Sequence, residues 1–214
     1  MVDFTAPEKS INESIEAYYN SKLRQFGATP KGVDWKDEIA QISRFKGQYE
    51  LSTLGNSHPE SVLDYGCGYG AYLEYLRNRG FKGKYTGLDI AEEMLISAKS
   101  KFINDENSEF LSEPIVNSQF DLSFASGTFN VMFADRKLWL EKIVLPNIIR
   151  MLEHSEFAIV SFLRNEPTYR IENLLYIDAE ELVSIFASKI EIVKSLNIEN
   201  TWEFCLLLRK KERN

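Results

Sequence analysis

The chain has 214 residues, of which 44% are hydrophobic, and a formal net charge of −7. This is enough apolar material for one sizeable core, whereas the acidic balance and the lack of a basic stripe argue against a nucleic-acid partner. No apolar stretch approaches the roughly 20 residues of a membrane span, and the N-terminus lacks a secretory signal pattern. We expect no membrane partner, a cytoplasmic location, two reduced cysteines (Cys67 and Cys205) and no metal site.

The first part of the chain is predicted to be a helical extension. The pattern from Ser10 to Leu54 is helical and polar, and it is interrupted by a stretch containing Gly and Pro at positions 27–35. We therefore expect two helices joined by an ordered loop, in an extension or lid that covers residues 1–55.

The rest of the chain, residues 56–214, is predicted to be an α/β domain. Strands are expected at 61–66, 84–90, 108–113, 120–127 and 156–163, and helices at 71–80, 91–102, 136–152 and 179–189. The long helix is expected to bend at Pro146. Strands that alternate with helices predict a doubly wound, mostly parallel sheet with helices on both faces.

The C-terminal part changes this rhythm. Two β-rich runs, at 190–198 and 201–210, are separated only by Glu199 and Asn200. Such strands must pair antiparallel, because a parallel pair needs a crossover of a dozen or more residues. The sheet is thus predicted to have seven strands and to end in an antiparallel hairpin, with Trp202 and Phe204 alternating into the core.

A glycine-rich loop follows the first predicted strand. Gly66, Gly68 and Gly70 alternate between this strand and the next helix, so the backbone can approach a ligand where a Cβ would block it. Asp89 ends the next strand, where its carboxylate could accept hydrogen bonds from two ribose hydroxyls. This spacing is typical of a nucleoside site; a tight turn without a ligand is the alternative.

The charge of Asp64 bears on which nucleoside would bind. The glycines together with Ala71 also fit the dinucleotide pattern G-x-G-x-x-A. However, Asp64 precedes the first glycine by two positions, where a carboxylate would repel a pyrophosphate and attract a cationic ligand. The alternative is that Asp64 caps backbone amides at the end of the strand.

These segments resemble a known family. LDYGCGYG with GLDIAEEMLISAK resembles motif I and the following acidic motif of class I S-adenosylmethionine-dependent methyltransferases. Residues 120–131 resemble the family's fourth-strand motif, and the terminal hairpin resembles its last two strands, so the likeness extends over about 60–210. The N-terminal YYNSKLRQFGATPKGVDW with Gln41, Arg44 and Phe45 resembles a bacterial subgroup without an assigned substrate. The resemblance implies a Rossmann-like methyltransferase fold and S-adenosyl-L-methionine as cofactor.

The resemblance also implies roles for individual residues around the cofactor. Gly66, Gly68 and Gly70 are expected to wrap the methionine part of the cofactor, and Asp89 to bind its ribose. Ile90 and Met94 are expected to flank the adenine, and Ser112 or Glu113 to contact the adenine amino group. Ala125 and Ser126 are expected to lie beside the sulfonium. Electrostatics adds two predictions: Asp64 lies near the cationic cofactor, and Arg44 pairs with the cofactor carboxylate, which a guanidinium matches.

The acceptor side is less determined by the sequence. Methyl transfer is an in-line displacement, so the enzyme mainly aligns a nucleophile and, for some acceptors, removes a proton. The candidates for a catalytic group are Tyr18, Asp34, Asn130 and Tyr169. The candidates for acceptor binding are Tyr19, Trp35, Phe129, Arg170 and Tyr176. For the aromatic residues, ordinary helix packing is the alternative.

The sequence thus predicts a methyltransferase that acts on oxygen or nitrogen of a small molecule, as a monomer or homodimer. Three alternatives stay open at this point. The chain could use the same cofactor for aminocarboxypropyl transfer or cyclisation, it could be a nicotinamide-dependent oxidoreductase, or it could bind the cofactor without turnover.

Overall fold

The computed structural model describes residues 6–53, 59–113, 118–166, 170–186, 189–199 and 201–211. The helices are α1 (Ala6–Phe26), α2 (Glu38–Ser52), α3 (Ala71–Asn78), α4 (Glu92–Lys101), α5 (Arg136–Trp139), α6 (Leu145–His154) and α7 (Ala179–Phe186). The strands are β1 (Ser61–Tyr65), β2 (Lys84–Leu88), β3 (Ser108–Leu111), β4 (Phe120–Ala125), β5 (Ser155–Leu163), β6 (Ile190–Asn197) and β7 (Glu203–Lys210). Among the described residues, none of the helices combines the length and apolar character needed to span a bilayer.

The strands form one seven-stranded sheet in the order β3-β2-β1-β4-β5-β7-β6. The first five strands pair parallel, and β7 pairs antiparallel with both β5 and β6. The prediction of a doubly wound, mostly parallel sheet that ends in an antiparallel hairpin is confirmed. The strand order reverses beside β1, and ligands of open α/β sheets bind at the carboxyl edge beside such a reversal.

Apolar side chains cover both faces of the sheet. One core packs α2, α3 and α4 against side chains such as Val62, Leu122 and Ile159, and the other packs α6 and α7 against Ala158 and Val160. Because successive side chains of a strand point to opposite faces, the run at 158–160 supplies both cores. A strand buried on both faces reads as a continuous apolar run, which is how β5 appears in the sequence.

The long helix predicted at 136–152 is interrupted rather than continuous. Residues Leu140–Val144 form a π-helical turn between α5 and α6, and Pro146 lies in the first turn of α6. Proline has no N–H to donate, and its ring crowds the carbonyl four residues earlier, which here belongs to Lys142. The wider π turn relieves this crowding, so the irregularity lies one turn ahead of the proline.

The prediction that Trp202 belongs to the core is wrong. Its side chain is 55% exposed, whereas Phe204 is buried. Strand β7 begins only at Glu203, so Trp202 lies in the preceding bend, where the alternation of a pleated strand does not apply. The guanidinium of Arg164 lies 5.9 Å from the centre of its ring instead.

Candidate active site

The glycine loop adopts the conformation for which glycine is suited. Gly66, Gly68 and Gly70 have φ values of 78°, 54° and 78°, in the left-handed region that side chains disfavour. The N–H groups of Gly66 and Cys67 both donate to the carbonyl of Leu88, which ties the loop to the end of β2. A Cβ on Gly66 would lie 2.5 Å from a methyl carbon of Thr128, so the loop also packs closely on the turn after β4.

Asp89 holds this loop from the neighbouring strand. The N–H of Gly68 donates to Oδ2 of Asp89 at 2.8 Å, and the N–H of Ala91 donates to Oδ1 at 2.9 Å. Burial raises the pKa of Asp89, and these two N–H groups and that of Ile90 oppose the rise. Each carboxylate oxygen accepts more than one hydrogen bond, so this geometry leaves capacity for ligand hydroxyls.

Asp64 is a buried carboxylate at the end of β1. It is 1% exposed, and the Tyr85 hydroxyl donates to its Oδ2 at 2.5 Å. Burial raises the pKa of Asp64 to about 7; the Tyr85 hydrogen bond opposes this rise and the nearby Asp89 adds to it. Within the described part of the chain, its Oδ1 has no hydrogen-bond partner. An unmatched buried acceptor is costly, so this oxygen suits a cationic or N–H-bearing ligand.

A cavity of about 910 Å³ lies over the carboxyl edge of the sheet. Its lining includes most of the predicted cofactor residues, namely Arg44, Asp64, Gly66, Gly68, Asp89, Ile90, Met94, Ser112, Glu113 and Ser126. This volume lies at the upper end of the range for small-molecule sites, so it has room for a nucleoside cofactor and a second small molecule. The described residues contain no cluster of His, Cys, Asp and Glu that could hold a metal ion.

The N-terminal segment, defined here as residues 6–52, forms the roof of this cavity. Val33 lies over the glycine loop, since a Cβ on Gly68 would come 3.3 Å from it. Trp35 packs on Gly127, where a Cβ would lie 2.5 Å from the edge of the indole ring. Arg24 pairs with Glu93 of α4, and the backbone N–H of Glu93 donates to the side chain of Asn20.

A polar cluster joins this roof to the far end of the cavity. The Nε of Arg44 donates to Oε2 of Glu203 at 2.5 Å, and its guanidinium lies 4.1 Å from the centre of the Trp35 ring. The side-chain amide of Asn130 donates to the other Glu203 oxygen at 3.2 Å. Glu203 is 1% exposed, and burial raises its pKa to about 6, against the opposing effects of Arg44 and Asn130.

Arg44 therefore has a different partner from the one predicted. It lines the cavity, but its guanidinium is bonded to Glu203 and to the carbonyl of Ala40, whereas the prediction paired it with the cofactor carboxylate. A contact with the cofactor stays a prediction. The ion pair neutralises the Glu203 charge at this end of the cavity.

Two predicted cofactor residues do not line the cavity. Gly70 faces away from it, since a Cβ there would meet the ring of Phe102 at 2.7 Å. Ala125 is fully buried within the sheet core, and its carbonyl accepts a hydrogen bond from Gln48. Both lie next to lining residues, so their structural role is to shape the loop and the strand end.

The predicted catalytic candidates separate in the structure. Asp34 and Asn130 line the cavity, but Asp34 pairs with Lys22 at 2.6 Å. Tyr18 is not among the lining residues and packs edge-on against Tyr19 and Phe133. Tyr169 lies outside the described residues.

The predicted acceptor-binding residues also separate. Tyr19, Trp35 and Phe129 line the cavity, whereas Arg170 and Tyr176 do not. Tyr19 packs with Tyr69, Ala91 and Met94, on the side predicted for the adenine. Arg170 lies 5.5 Å from the centre of the Tyr176 ring, so these two residues contact each other beside the cavity.

Two residues of the site were missed by the sequence analysis. The sequence signal for Glu203 is an acidic residue directly ahead of the apolar run FCLLL, within a segment that the pattern predicts only as a core strand. Tyr85 lies on the neighbouring parallel strand β2, where it is paired with Val62 of β1, and its hydroxyl donates to Asp64. Neither contact can be inferred without the pairing of distant strands.

Comparisons with known proteins bear on the family. Residues 62–154 match the model of a family described as "Methyltransferase domain". Over 81 residues the chain is 47% identical to Rv1506c of Mycobacterium tuberculosis, which carries a provisional methyltransferase name; the match covers 38% of this chain and 49% of that protein. A malonyl-[acyl-carrier protein] O-methyltransferase of Pseudescherichia vulneris is 33% identical over 92 residues, which are 42% of this chain and 36% of that protein.

The fold agrees with this family. The N-methyltransferase NodS of Bradyrhizobium japonicum, solved with S-adenosylhomocysteine, superimposes with a TM-score of 0.66 over 91% of this chain and 99% of that one, at 16% identity. The match over residues 62–154 favours a methyltransferase domain in this part of the chain. The predicted Rossmann-like methyltransferase fold is confirmed. The matches span half or less of the curated relatives' length, so the activity of this whole protein is a matter for proposal.

Proposed function

We propose that this protein is a methyltransferase that transfers a methyl group from S-adenosylmethionine to an oxygen or nitrogen atom of a small molecule. The observation that carries the proposal is the buried carboxylate of Asp64. Its Oδ1 lacks a partner among the described residues, and it lies in the lining of a cavity beside a left-handed glycine loop. A cationic ligand without a phosphate satisfies such an oxygen.

The cofactor side of the cavity would be built from four groups. Gly66 and Gly68 allow the close approach of backbone, Asp89 offers a carboxylate for ribose hydroxyls, and Asp64 offers a negative charge. Ile90, Met94 and Tyr19 would form apolar walls for the adenine. When bound, the cofactor supplies an electrophilic methyl group, and the protein's task is to align the acceptor and exclude water.

A small-molecule acceptor is supported by the size and closure of the site. The cavity of about 910 Å³ is roofed by the N-terminal segment, which leaves room beyond a nucleoside for a compact molecule. One relative is a malonyl-[acyl-carrier protein] O-methyltransferase and the structural neighbour NodS is an N-methyltransferase, so the proposal retains both acceptor atoms.

The test starts with calorimetric titration of the purified protein with S-adenosylmethionine, S-adenosylhomocysteine and NAD. Both sulfur nucleosides should bind and NAD should not. The variant Asp89→Asn should weaken binding at least about tenfold, because a charged acceptor is lost. Glu106→Gln is the matched control, since this exposed glutamate loses the same charge away from the cavity.

The by-product then identifies the reaction. A screen of small phenols, amines and carboxylic acids with S-adenosylmethionine should yield S-adenosylhomocysteine and an acceptor heavier by one methylene. Methylthioadenosine in its place would show aminocarboxypropyl transfer or cyclisation and would overturn methyl transfer. Binding of NAD alone would overturn the cofactor assignment for the whole protein.

A further inference from the structure

The turn that follows β4, residues 126–130, is held on all sides by hydrogen bonds. The N–H of Gly127 donates to the hydroxyl oxygen of Ser161 at 2.9 Å, and the Thr128 hydroxyl donates to the carbonyl of Tyr65 at 2.8 Å. The indole of Trp139 donates to the carbonyl of Phe129 at 2.9 Å. A turn with its backbone fixed in this way is a rigid platform for its side chains.

Two side-chain oxygens of this turn are left without partners. Oδ1 of Asn130 and Oγ of Ser126 are both buried, and neither has a hydrogen-bond partner in the part of the chain that the structure describes. Asn130 is 6% exposed, and both residues line the cavity. Buried polar atoms of native proteins are nearly always paired, so two orphans on one turn at a cavity wall point to a ligand.

Glu203 decides which way the Asn130 amide faces. An ionised carboxylate only accepts hydrogen bonds, so the nitrogen of the amide must point at Glu203 and the oxygen must point away. Arg44 holds the carboxylate in place and balances its charge. The unpaired atom of Asn130 is therefore an acceptor in locally neutral surroundings.

We propose that Asn130 Oδ1 and Ser126 Oγ form the subsite for the methyl acceptor, and that this subsite selects a neutral O–H or N–H donor carried on an aromatic body. Glu203 is a positioning residue for Asn130. The aromatic body is indicated by Trp35, which lines the cavity and packs on Gly127 in the same turn. The proposal rests on the proposed function, since it assigns the acceptor end of that site.

Access to the two oxygens involves Trp35. Both atoms are shielded from water, and the Trp35 ring packs on Gly127 within the same turn. The proposal therefore requires this indole to move when a ring enters the turn. The guanidinium of Arg44 lies over this ring and pairs with Glu203. A movement of Trp35 is therefore linked through Glu203 to Asn130.

The test uses phenol and anisole as probes with the protein saturated in S-adenosylhomocysteine. The two molecules share an aromatic body and differ in the O–H donor, which anisole lacks. Ligand-observed NMR titration should show that phenol binds about tenfold more tightly than anisole, as expected for one buried hydrogen bond. Equal affinities, or no binding of phenol, would overturn the inference.

Variants assign the preference to the turn. In Asn130→Leu the preference for phenol should disappear while S-adenosylhomocysteine still binds. Asn165→Leu is the matched control, because this asparagine also donates to a carboxylate, that of Asp178, but lies outside the cavity lining. If the preference survived in Asn130→Leu, the subsite would be elsewhere.

Alternative variants and a binding measurement distinguish a failure of the subsite from a failure of folding or of the proposed function. If Asn130→Leu does not fold, Ser126→Ala and Glu203→Gln replace it; the glutamine can donate to Asn130, so it should reduce the preference for phenol as well. Calorimetry with S-adenosylhomocysteine on each variant separates the two proposals. If the wild-type protein does not bind S-adenosylhomocysteine, the proposed function is contradicted. If it binds S-adenosylhomocysteine but does not prefer phenol over anisole, only the acceptor subsite is contradicted.

Discussion

At the scale of single residues, Asp64 shows how burial converts an ordinary carboxylate into a ligand-dependent charge. Its pKa is raised to about 7 because the carboxylate is desolvated and has only the Tyr85 hydroxyl as a partner among the described residues. Near neutral pH the group is therefore partly protonated. A cation placed beside it would stabilise the ionised form, so binding and ionisation should be linked.

This linkage predicts how cofactor affinity depends on pH. The affinity for S-adenosylmethionine should increase as the pH rises from 6 to 8, because the ionised fraction of Asp64 grows through its pKa of about 7. In Asp64→Asn the dependence should flatten, and the affinity at pH 8 should fall about tenfold. Calorimetry at pH 6, 7 and 8 measures both, and an unchanged pH dependence in the variant would contradict the role of Asp64.

The stability of the protein without ligand should depend on pH in the opposite direction from the cofactor affinity. The folded protein without ligand holds the Asp64 proton more tightly than the unfolded chain, so the free energy of unfolding should fall as the pH rises from 3.8 towards about 7. Asp64→Asn removes this pH-dependent destabilisation. The melting temperature of the variant should therefore exceed that of the wild type by more at pH 8 than at pH 5. A constant difference across this range would show that Asp64 is not the buried titrating group.

At the scale of elements, the contact between the N-terminal segment and the β4 turn closes the cavity. It depends on the missing side chain of Gly127, which leaves space for the Trp35 ring. Two salt bridges stabilise the same segment. Lys22 pairs with Asp34 inside it, and Arg44 pairs with Glu203 of β7. Because Glu203 is buried, the second pair connects α2 firmly to the sheet only while both partners are present.

Gly127→Ala should open this contact, and Gly80→Ala is its matched control. Both glycines have positive φ, 72° and 85°, so each alanine should cost about 1–2 kcal/mol of stability from backbone strain. Only at Gly127 would the added Cβ meet another group, the Trp35 ring at 2.5 Å; at Gly80 nothing lies within 4 Å. Gly127→Ala should therefore weaken S-adenosylhomocysteine binding roughly fivefold, equivalent to about 1 kcal/mol.

Calorimetry and thermal unfolding of the two variants separate the effects. Both variants should lose stability, Gly127→Ala the more because of its contact with Trp35, and only Gly127→Ala should lose affinity. If Gly80→Ala weakened nucleoside binding as much as Gly127→Ala did, the roof contact would not contribute to the site.

At the scale of the whole molecule, the sheet topology gathers the site at one edge. Parallel strands β1, β2 and β4 all end at this edge, which places Asp64, Asp89 and the β4 turn together. Strand β7 runs antiparallel and therefore begins where β5 ends, with Glu203 opposite Leu163. The N-terminal segment then covers the edge, so parts of the chain that are distant in sequence enclose one cavity.

Filling this cavity should rigidify its walls and leave the distant edge of the sheet unchanged. On addition of S-adenosylhomocysteine, amide hydrogen exchange should slow in residues 6–52 and 61–70, because ligand contacts suppress local opening there. Exchange in α7 and β6 should not change, since neither contributes a residue to the cavity lining. Uniform slowing throughout the chain would indicate global stabilisation rather than closure of the roof.

Much of the fold was determined by local patterns in the sequence. The alternation of short apolar runs with helical spacing predicted the parallel strands, and the short link between the last two runs predicted antiparallel pairing. The glycine loop and Asp89 were predictable because the conformations they require depend on residues close in sequence. The π turn was not, since only the crowding around Pro146 in a formed helix favours it.

What the sequence determined by itself is the βαβ order of the sheet and the glycine loop with Asp89, because both depend on spacing along one βαβ unit. Only the tertiary structure decided that Arg44 pairs with Glu203, that Tyr85 binds Asp64, and that Asn130 and Ser126 retain unpaired oxygens at the cavity wall. These contacts join residues far apart in the chain. Their energies come from burial and from hydrogen bonds made or missed at close range, which a pattern along the chain does not encode.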